Sequence, residues 1–228
     1  LTPGRGAVAR TQRVRRRERD LLLPRVRRRV PVLARREVPE LDALNTAWGT
    51  TFWSQRYADW DEIEPPTEAP TAVNPAQELD YFRFSSDAHL ANFRRERDIL
   101  HTLSPGIPVT TNFMLANCKN IDYWTWAGEV DLISNDHYLQ AERPDNHIEL
   151  AMCADLTRSV AGGTPWLLME HSTGSVNWQP RNIAKKPGEL VRNSLAHLAR
   201  GADGSCSSSG GPPGTARRNS TPRCCRTA

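Results

Sequence analysis

The chain of 228 residues has 38% hydrophobic residues and a mean hydropathy of −0.59, which allows a packed core but leaves part of the chain unburied. No run of about 18 apolar residues occurs, which excludes a membrane-spanning helix, and no secretory signal is visible. The five cysteines have neither a metal-binding spacing nor an even disulfide pattern, so we expect a reduced, cytoplasmic setting.

Charge divides the chain into three segments. Residues 1–40 hold thirteen Arg and four acidic residues, a net charge of +9, whereas residues 41–203 have a net charge of −9. The tail, residues 204–228, adds four Arg and no acid. All sixteen aromatic residues lie between Trp48 and Trp178, so only the middle segment has the composition of a packed enzyme domain.

Arginine runs interrupted by proline dominate the first segment, as in RVRRRERD and RVRRRV. Such runs can bind phosphate backbones, so a non-catalytic, basic-armed protein that binds nucleic acid is one alternative function. Interleaved aromatic residues or a DNA-binding motif would support that alternative, and neither occurs. We favour a disordered, non-native arm at 1–40, and we expect an irregular, low-complexity tail at 204–228.

The middle segment begins with aromatic-rich sequence. LDALNTAWGTTFWSQRYADW predicts helix or helix-turn structure packed through aromatic rings, and the proline-rich DEIEPPTEAPTAVNPAQ predicts a loop. Between Leu79 and Leu103 apolar residues recur at helical spacing, and Pro105-Gly106 follows. This pattern predicts one long amphipathic helix.

Three strand-like stretches follow, each leading to a helix-like stretch. They lie at 108–114, 131–139 and 166–172. Short apolar strands that alternate with longer helices indicate parallel β/α units. The middle segment of 163 residues is shorter than the roughly 250 residues of a (β/α)8 barrel, which predicts an incomplete (β/α)8 TIM-type barrel.

Each predicted strand is apolar at its start and polar at its C-terminal end. The polar ends contain Asn112, Asp136-His137-Tyr138 and Glu170-His171. Since the active site of a (β/α)8 barrel lies at the C-terminal ends of its strands, we expect Glu170 to face a cleft rather than the core.

A carboxylate at a strand tip beside Trp, His and Asn suits glycoside hydrolysis. A retaining glycosidase uses one Asp or Glu as nucleophile and a second, about 5–5.5 Å away, as general acid/base. Trp178 would offer an apolar face to a sugar ring, and Asn177 and Tyr138 could hydrogen-bond its hydroxyls. His171 could orient a carboxylate.

Structural interpretations compete with this one. Glu170 could form an ion pair with Arg181 or Arg192, and periodicity alone does not choose between the ion pair and a catalytic site. Asp136-His137 could be a metal or acid/base pair, although an isolated Asp-His dipeptide is more often structural.

Six stretches between residues 41 and 203 together resemble one family. They are LDALNTAWGTTFWSQRYADWDEI, LDYFRFSSD, IPVTTNFM, DLISNDHYL, PWLLMEHSTGSVNWQPRN and KPGELVRNSLAHLARGAD. In this order they resemble the β-galactosidases of glycoside hydrolase family 42. The resemblance implies a (β/α)8 barrel, a retaining mechanism and release of terminal β-D-galactose. It further implies that Glu170 is the nucleophile, that Trp178 and Tyr138 contact the sugar, and that members of the family commonly form homotrimers.

Two departures from the family pattern matter. The family's general acid/base is a Glu in a V-S-N-E-Y motif upstream of LDALN, followed in many members by a cysteine-rich metal cluster, and neither motif occurs here. We therefore expect no metal or other cofactor, and little or no activity from this chain alone. A β-galactoside remains the expected substrate, with no membrane partner.

One hypothesis accounts for both flanking segments: each is family sequence read out of frame. SCSSSGG at 205–211 can be encoded so that a start two bases later gives M-F-F-Q-W-R, a strand of the family. PRVRRRVPVLA at 24–34 can be encoded so that a start one base later gives R-V-S-A-A-A-F-R-S-W-L, like the helix before LDALN. The coding nucleotide sequence tests this hypothesis, which fails if neither frame restores the motifs.

Overall fold

The computed structural model describes residue 38, residues 40–66, 72–140, 142–174, 176, 179 and 181–207, and the backbone of residues 223–226. Almost all of the predicted arm at 1–40 therefore lies outside the described residues. The chain divides into two compact units, residues 1–88 and residues 89–228. No helix among the described residues combines the length and hydrophobicity that a membrane span requires.

The first unit contains helix α1 (Leu41–Ala47) and a 3₁₀ helix (Trp60–Glu62). Its small core consists of Leu44, Trp48, Trp60 and Ile63. The buried side chain of Asn45 accepts hydrogen bonds from Thr50 Oγ1 at 2.7 Å and from the backbone N–H of Tyr57 at 2.9 Å. These bonds fold the aromatic-rich segment back on α1, where the Trp48 and Tyr57 rings meet edge to face with centroids 6.1 Å apart. The predicted packing through aromatic rings is seen in this contact.

Helix α2 (Pro75–Leu103) confirms the predicted long helix. It begins where the sequence chemistry favours a start, since Asn74 Oδ1 accepts the backbone N–H groups of Ala76 at 3.0 Å and Gln77 at 3.3 Å. Pro75 at the first helical position loses no hydrogen bond, because that N–H has no partner within a helix. Gly106, with a φ of +81°, turns the chain after the helix ends.

The second unit is built on a four-stranded sheet in the order β1-β2-β3-β4. Its further elements in chain order are α3 (Tyr123–Ala127), β1 (Ser134–Asp136), α4 (Asn146–Val160), β2 (Trp166–Glu170), α5 (Glu189–Leu198), β3 (Ala202–Ser207) and β4 (Arg223–Arg226). β1, β2 and β3 are parallel, and β4 is antiparallel to β3. The predicted parallel β/α units are confirmed for β1-α4-β2 and β2-α5-β3.

The core of the second unit lies between this sheet and its helices. Trp166 and Leu168 of β2 are fully buried, and they cluster with Ala154 and Val160 of α4. Gly201, with a φ of +98°, allows a tight connection into β3, where an added Cβ would lie 3.4 Å from the Arg158 side chain. The helices therefore cover one face of the sheet.

One of the three predicted strands does not form. Residues 108–114 form no strand and contribute two backbone bonds beside β1, from Asp131 N to Val109 O and from Asp136 N to Phe113 O. Instead, Thr110 donates to the backbone oxygen of Leu132, just before β1, and Asn112 donates to the Asp136 side chain of β1, which competes with a regular ladder. The stretch still lies alongside β1.

β3 runs from Ala202 to Ser207, across the start of the predicted low-complexity tail at 204–228. It pairs in parallel with β2 as far as Ser205 and in antiparallel with β4 as far as Ser207. Residues 208–222 and 227–228 of that tail lie outside the described residues. The spacing of the five cysteines did not reveal that Cys206 is disulfide-bonded, whereas Cys118 and Cys153 are free thiols.

Candidate active site

The pairing of β1 with β2 shifts in register just before the last residue of β2. The aligned pairs are Ser134 with Leu167, Asn135 with Leu168, and Asp136 with Glu170. Met169 is therefore skipped. In a regular strand, side chains two residues apart share a face, so Glu170 would point to the same side as Leu168 in the core. One extra residue reverses the alternation, and Glu170 lies on the face opposite the helices.

β1 delivers its side chains to both faces without interruption. Asn135 bonds Cys153 of α4 at 3.2 Å, and His137 bonds His197 of α5 at 3.1 Å, so both residues face the helices. Asp136, between them, faces the same side as Glu170. The C-terminal ends of two neighbouring strands thus present one carboxylate each to the same side of the sheet.

Glu170 is held by two hydrogen-bond donors. The hydroxyl of Tyr138 donates to Oε2, and the amide of Asn112 donates to Oε1 at 3.2 Å. No arginine among the described residues bonds Glu170. Arg192 instead interacts with Glu189 at 3.6 Å and with Asn193. The arrangement therefore favours a positioned carboxylate over the structural ion pair.

The same Asn112 amide also bonds Asp136, at 3.2 Å to Oδ1 and 3.1 Å to Oδ2. Asp136 is only 7% exposed. Burial raises the pKa of Asp136 to about 6, the Asn112 hydrogen bond opposes that rise, and the charge of Glu170 adds to it. Glu170, Asp136, Asn112 and Tyr138 are named the carboxylate cluster below.

Trp178, predicted to contact the sugar, lies outside the described residues, as does Asn177. Tyr138 lies against Glu170, as a residue of the same sugar subsite would. The structure thus brings together two of the three predicted site residues.

The histidines beside the two carboxylates do not belong to the cluster. His171 is fully buried on the helix side, and its Nδ1 lies 3.2 Å from the backbone oxygen of His137. The expectation that His171 orients a carboxylate is therefore wrong. Asp136 and His137 likewise point to opposite faces, so they form no acid/base pair. No group of three His, Cys, Asp or Glu residues in the described part of the chain has a geometry suited to a metal ion.

A family model described as Beta-galactosidase, that of glycoside hydrolase family 42, matches residues 22–207. The chain belongs to glycoside hydrolase family 42. A β-galactosidase of Arthrobacter sp. is 57% identical over 164 residues, which are 72% of this chain and 24% of that protein. A β-galactosidase of Geobacillus kaustophilus is 49% identical over the same shares of the two chains. The chain thus spans about a quarter of the length of the curated relatives it matches.

Two solved structures of β-galactosidases are similar to this chain. The crystal structure of a β-galactosidase from Bacillus circulans sp. alkalophilus has 39% identity and a TM-score of 0.69, and the match covers 80% of this chain and 27% of that one. The β-galactosidase from Rahnella sp. R3 has 36% identity and a TM-score of 0.70, with 83% and 27% covered. The family match starts at residue 22, inside the segment predicted to be out of frame, and the coding sequence remains the test of that hypothesis.

Sequence reasoning on this family 42 chain missed Asp136 and Asn112 as site residues. Their position as polar residues at the ends of predicted strands is the signal that the sequence offers. The register shift, which no periodicity reveals, decides which of these residues meet.

Proposed function

We propose that this chain supplies the nucleophile half of a retaining β-galactosidase site, with Glu170 as the nucleophile. The observation that carries the proposal is the register shift that turns Glu170 out of the core and between the donors of Tyr138 and Asn112, in a chain of family 42. The burial of an unpaired charge explains why Glu170 avoids the helix face, and the two donors at the C-terminal ends of parallel strands support a positioned nucleophile.

The proposed reaction is a double displacement on a terminal β-D-galactoside. A Glu170 oxygen attacks the anomeric carbon, an acid protonates the departing oxygen, and water then hydrolyses the galactosyl ester. Tyr138 and Asn112 hold the carboxylate for attack, and Trp178 would pack against the sugar ring. No V-S-N-E-Y motif occurs in these 228 residues, so we expect the chain alone to hydrolyse ordinary galactosides little or not at all.

The fold proposed for the whole protein is a (β/α)8 barrel, of which this chain supplies part. The two consecutive parallel β/α units with helices on one face support this proposal. The homotrimer, the cytoplasmic location and the absence of a cofactor stay predictions from the sequence.

A galactoside whose leaving group departs without protonation tests the nucleophile in this chain. We would incubate the purified chain with 2,4-dinitrophenyl 2-deoxy-2-fluoro-β-galactoside and follow intact mass. Attack by Glu170 expels dinitrophenolate with the bonding electron pair and leaves one fluorogalactosyl ester on the protein. We expect that adduct in the wild type, mapped to Glu170 by peptide sequencing, and none in Glu170→Gln.

Glu129→Gln is the matched control, because Glu129 is bound by Arg94 and Arg97 on another surface. It should label as the wild type does. An adduct on another carboxylate, or equal labelling of Glu170→Gln, would refute the assignment of the nucleophile.

A further inference from the structure

We propose that Asp136 is a positioning residue for the attack by Glu170, acting through the amide of Asn112 and through its own negative charge. The inference rests on the proposed function, because it concerns the same carboxylate. The family resemblance assigns no role to Asp136. Its alignment with Glu170 on the neighbouring strand is what indicates one.

The first support is a shared donor. Asn112 Nδ2 lies 3.1–3.2 Å from both oxygens of Asp136 and 3.2 Å from Oε1 of Glu170. A primary amide has two N–H groups, so one can serve each carboxylate. Asn112 itself is exposed and lies on a stretch without regular structure, so its anchor at this point is Asp136. Removing Asp136 would free the amide that orients Glu170.

The second support is that two carboxylates lie opposite each other on neighbouring strands, an arrangement that destabilises the folded state. The register shift aligns Asp136 directly with Glu170 on neighbouring strands. Like charges opposite each other in a sheet are destabilising, and Asp136 is buried. Costs of this kind concentrate at functional sites, where charge is arranged for a reaction.

The chemistry shows how the charge would help. In the attack, a bond forms between a Glu170 oxygen and the anomeric carbon, and the bond to the leaving group breaks with its electron pair leaving on that group. The Glu170 carboxylate thereby becomes a neutral ester. The Glu170 carboxylate and the Asp136 carboxylate repel each other before the attack, and this repulsion is absent once Glu170 is an ester. An ionised Asp136 therefore favours the attack.

This role predicts a pH dependence that belongs to Asp136. Burial raises the pKa of Asp136 to about 6, so acidification through that value removes its charge. The groups that face it in the described structure are Glu170 on β2, the Tyr138 phenol bonded to Glu170, and the uncharged Asn112. Labelling should therefore slow as the pH falls through about 6.

The test measures the rate of labelling by the same dinitrophenyl fluorogalactoside from about pH 4.5 to 8, a range that brackets the pKa of about 6 for Asp136. We expect Asp136→Asn to label about 10- to 100-fold more slowly than the wild type, as for a mispositioned nucleophile, and to lack the inflection near pH 6. The matched control Asp145→Asn makes the same chemical change in an exposed ion pair with Arg143 and should keep the wild-type rate and profile.

A second measurement needs no substrate. Carboxyl ¹³C NMR would give the pKa of Asp136 in the wild type, in Glu170→Gln and in Asn112→Ala. We expect a lower pKa of Asp136 in Glu170→Gln, where the like charge is gone, and a higher one in Asn112→Ala, where the hydrogen bond is gone. If Asp136→Asn does not fold, Asn112→Ala takes its place in the labelling test, because Asn112 is exposed.

The outcomes separate the two proposals. Equal rates and profiles for wild type and Asp136→Asn would overturn the positioning role and leave Glu170 as nucleophile. If the wild type is not labelled, the proposed function fails for this chain, and the NMR titration decides the inference. An Asp136 pKa that does not respond to Glu170→Gln would then overturn it.

Discussion

The two faces of one sheet differ in chemistry at consecutive residues. Asp136 and Glu170 point to the face opposite the helices, which is named the open face below, and there they contact Asn112 and Tyr138. The residue that follows each strand, His137 or His171, points to the helices, where both histidines are buried against His197. Consecutive residues therefore belong to different environments: the first to a charged site, the second to a neutral core.

The difference teaches what each face demands of an ionisable group. On the helix face, burial lowers the pKa of His137 from 6.5 to about 3 and that of His197 to about 4, so these rings are neutral there. The Nε2 atoms of His137 and His171 have no partner among the described residues, so an added proton would find no acceptor. On the open face, hydrogen-bond donors instead hold carboxylates in place.

The largest expected effect is on the helix face. Leu168→Ala removes a fully buried side chain from the core and should lower the free energy of unfolding by about 2–5 kcal/mol. Leu167→Ala is the matched control, since Leu167 is the preceding residue, is only partly buried and lies on the other face. Denaturant unfolding would measure both variants. Equal losses of unfolding free energy in the two variants would contradict the assignment of Leu168 to the core and Leu167 to the other face.

The second largest expected effect is a loss of folded-state stability on acidification, caused by the buried histidines of the helix face. A histidine whose pKa is lowered by folding binds fewer protons than in the unfolded chain, so stability is lost as the pH falls below 6.5 towards the folded values of about 3 and 4. The slope approaches about 1.4 kcal/mol per pH unit for each histidine protonated on unfolding.

Asp136 acts with the opposite sign. Its pKa is raised from 3.8 to about 6 by folding, so acidification between those values favours the folded state. Burial lowers the pKa of His171 as well, so three histidines outweigh one aspartate. We expect a net loss of stability between about pH 6 and 4, steeper in Asp136→Asn. Urea unfolding at several pH values would measure it, and rising stability on acidification would contradict this account of the two faces.

The smallest expected effect is confined to the open face. Tyr138→Phe removes the hydroxyl that donates to Glu170 and should slow labelling by the fluorogalactoside about 10-fold, the size expected for one hydrogen bond to a charged group. Since Tyr138 is only partly buried and its ring is retained, the free energy of unfolding should change by less than about 1 kcal/mol. A large loss of stability with unchanged labelling would place Tyr138 in the fold rather than in the site.

Much of the structure from residue 75 onwards followed from local pattern. Helix α2, helix α4 and the strands β1 and β2 lie where helical spacing and short apolar runs predicted them, because each buries one face against a neighbour. The stretch 108–114 did not become a strand, because its Thr and Asn side chains bond its neighbour directly. β3 was missed because Gly-Ser-Cys-Ser has a weak strand preference, and pairing with β2 overrides it.

For Glu170 itself, the sequence alone determined that a carboxylate ends an apolar strand and that its surroundings resemble those of a family 42 nucleophile. Only the tertiary structure decided its direction. Alternation from Trp166 and Leu168 would have placed Glu170 in the core, and the skipped Met169 turned it towards Asp136, Asn112 and Tyr138. A register shift depends on two strands pairing, so it cannot be read from either strand separately.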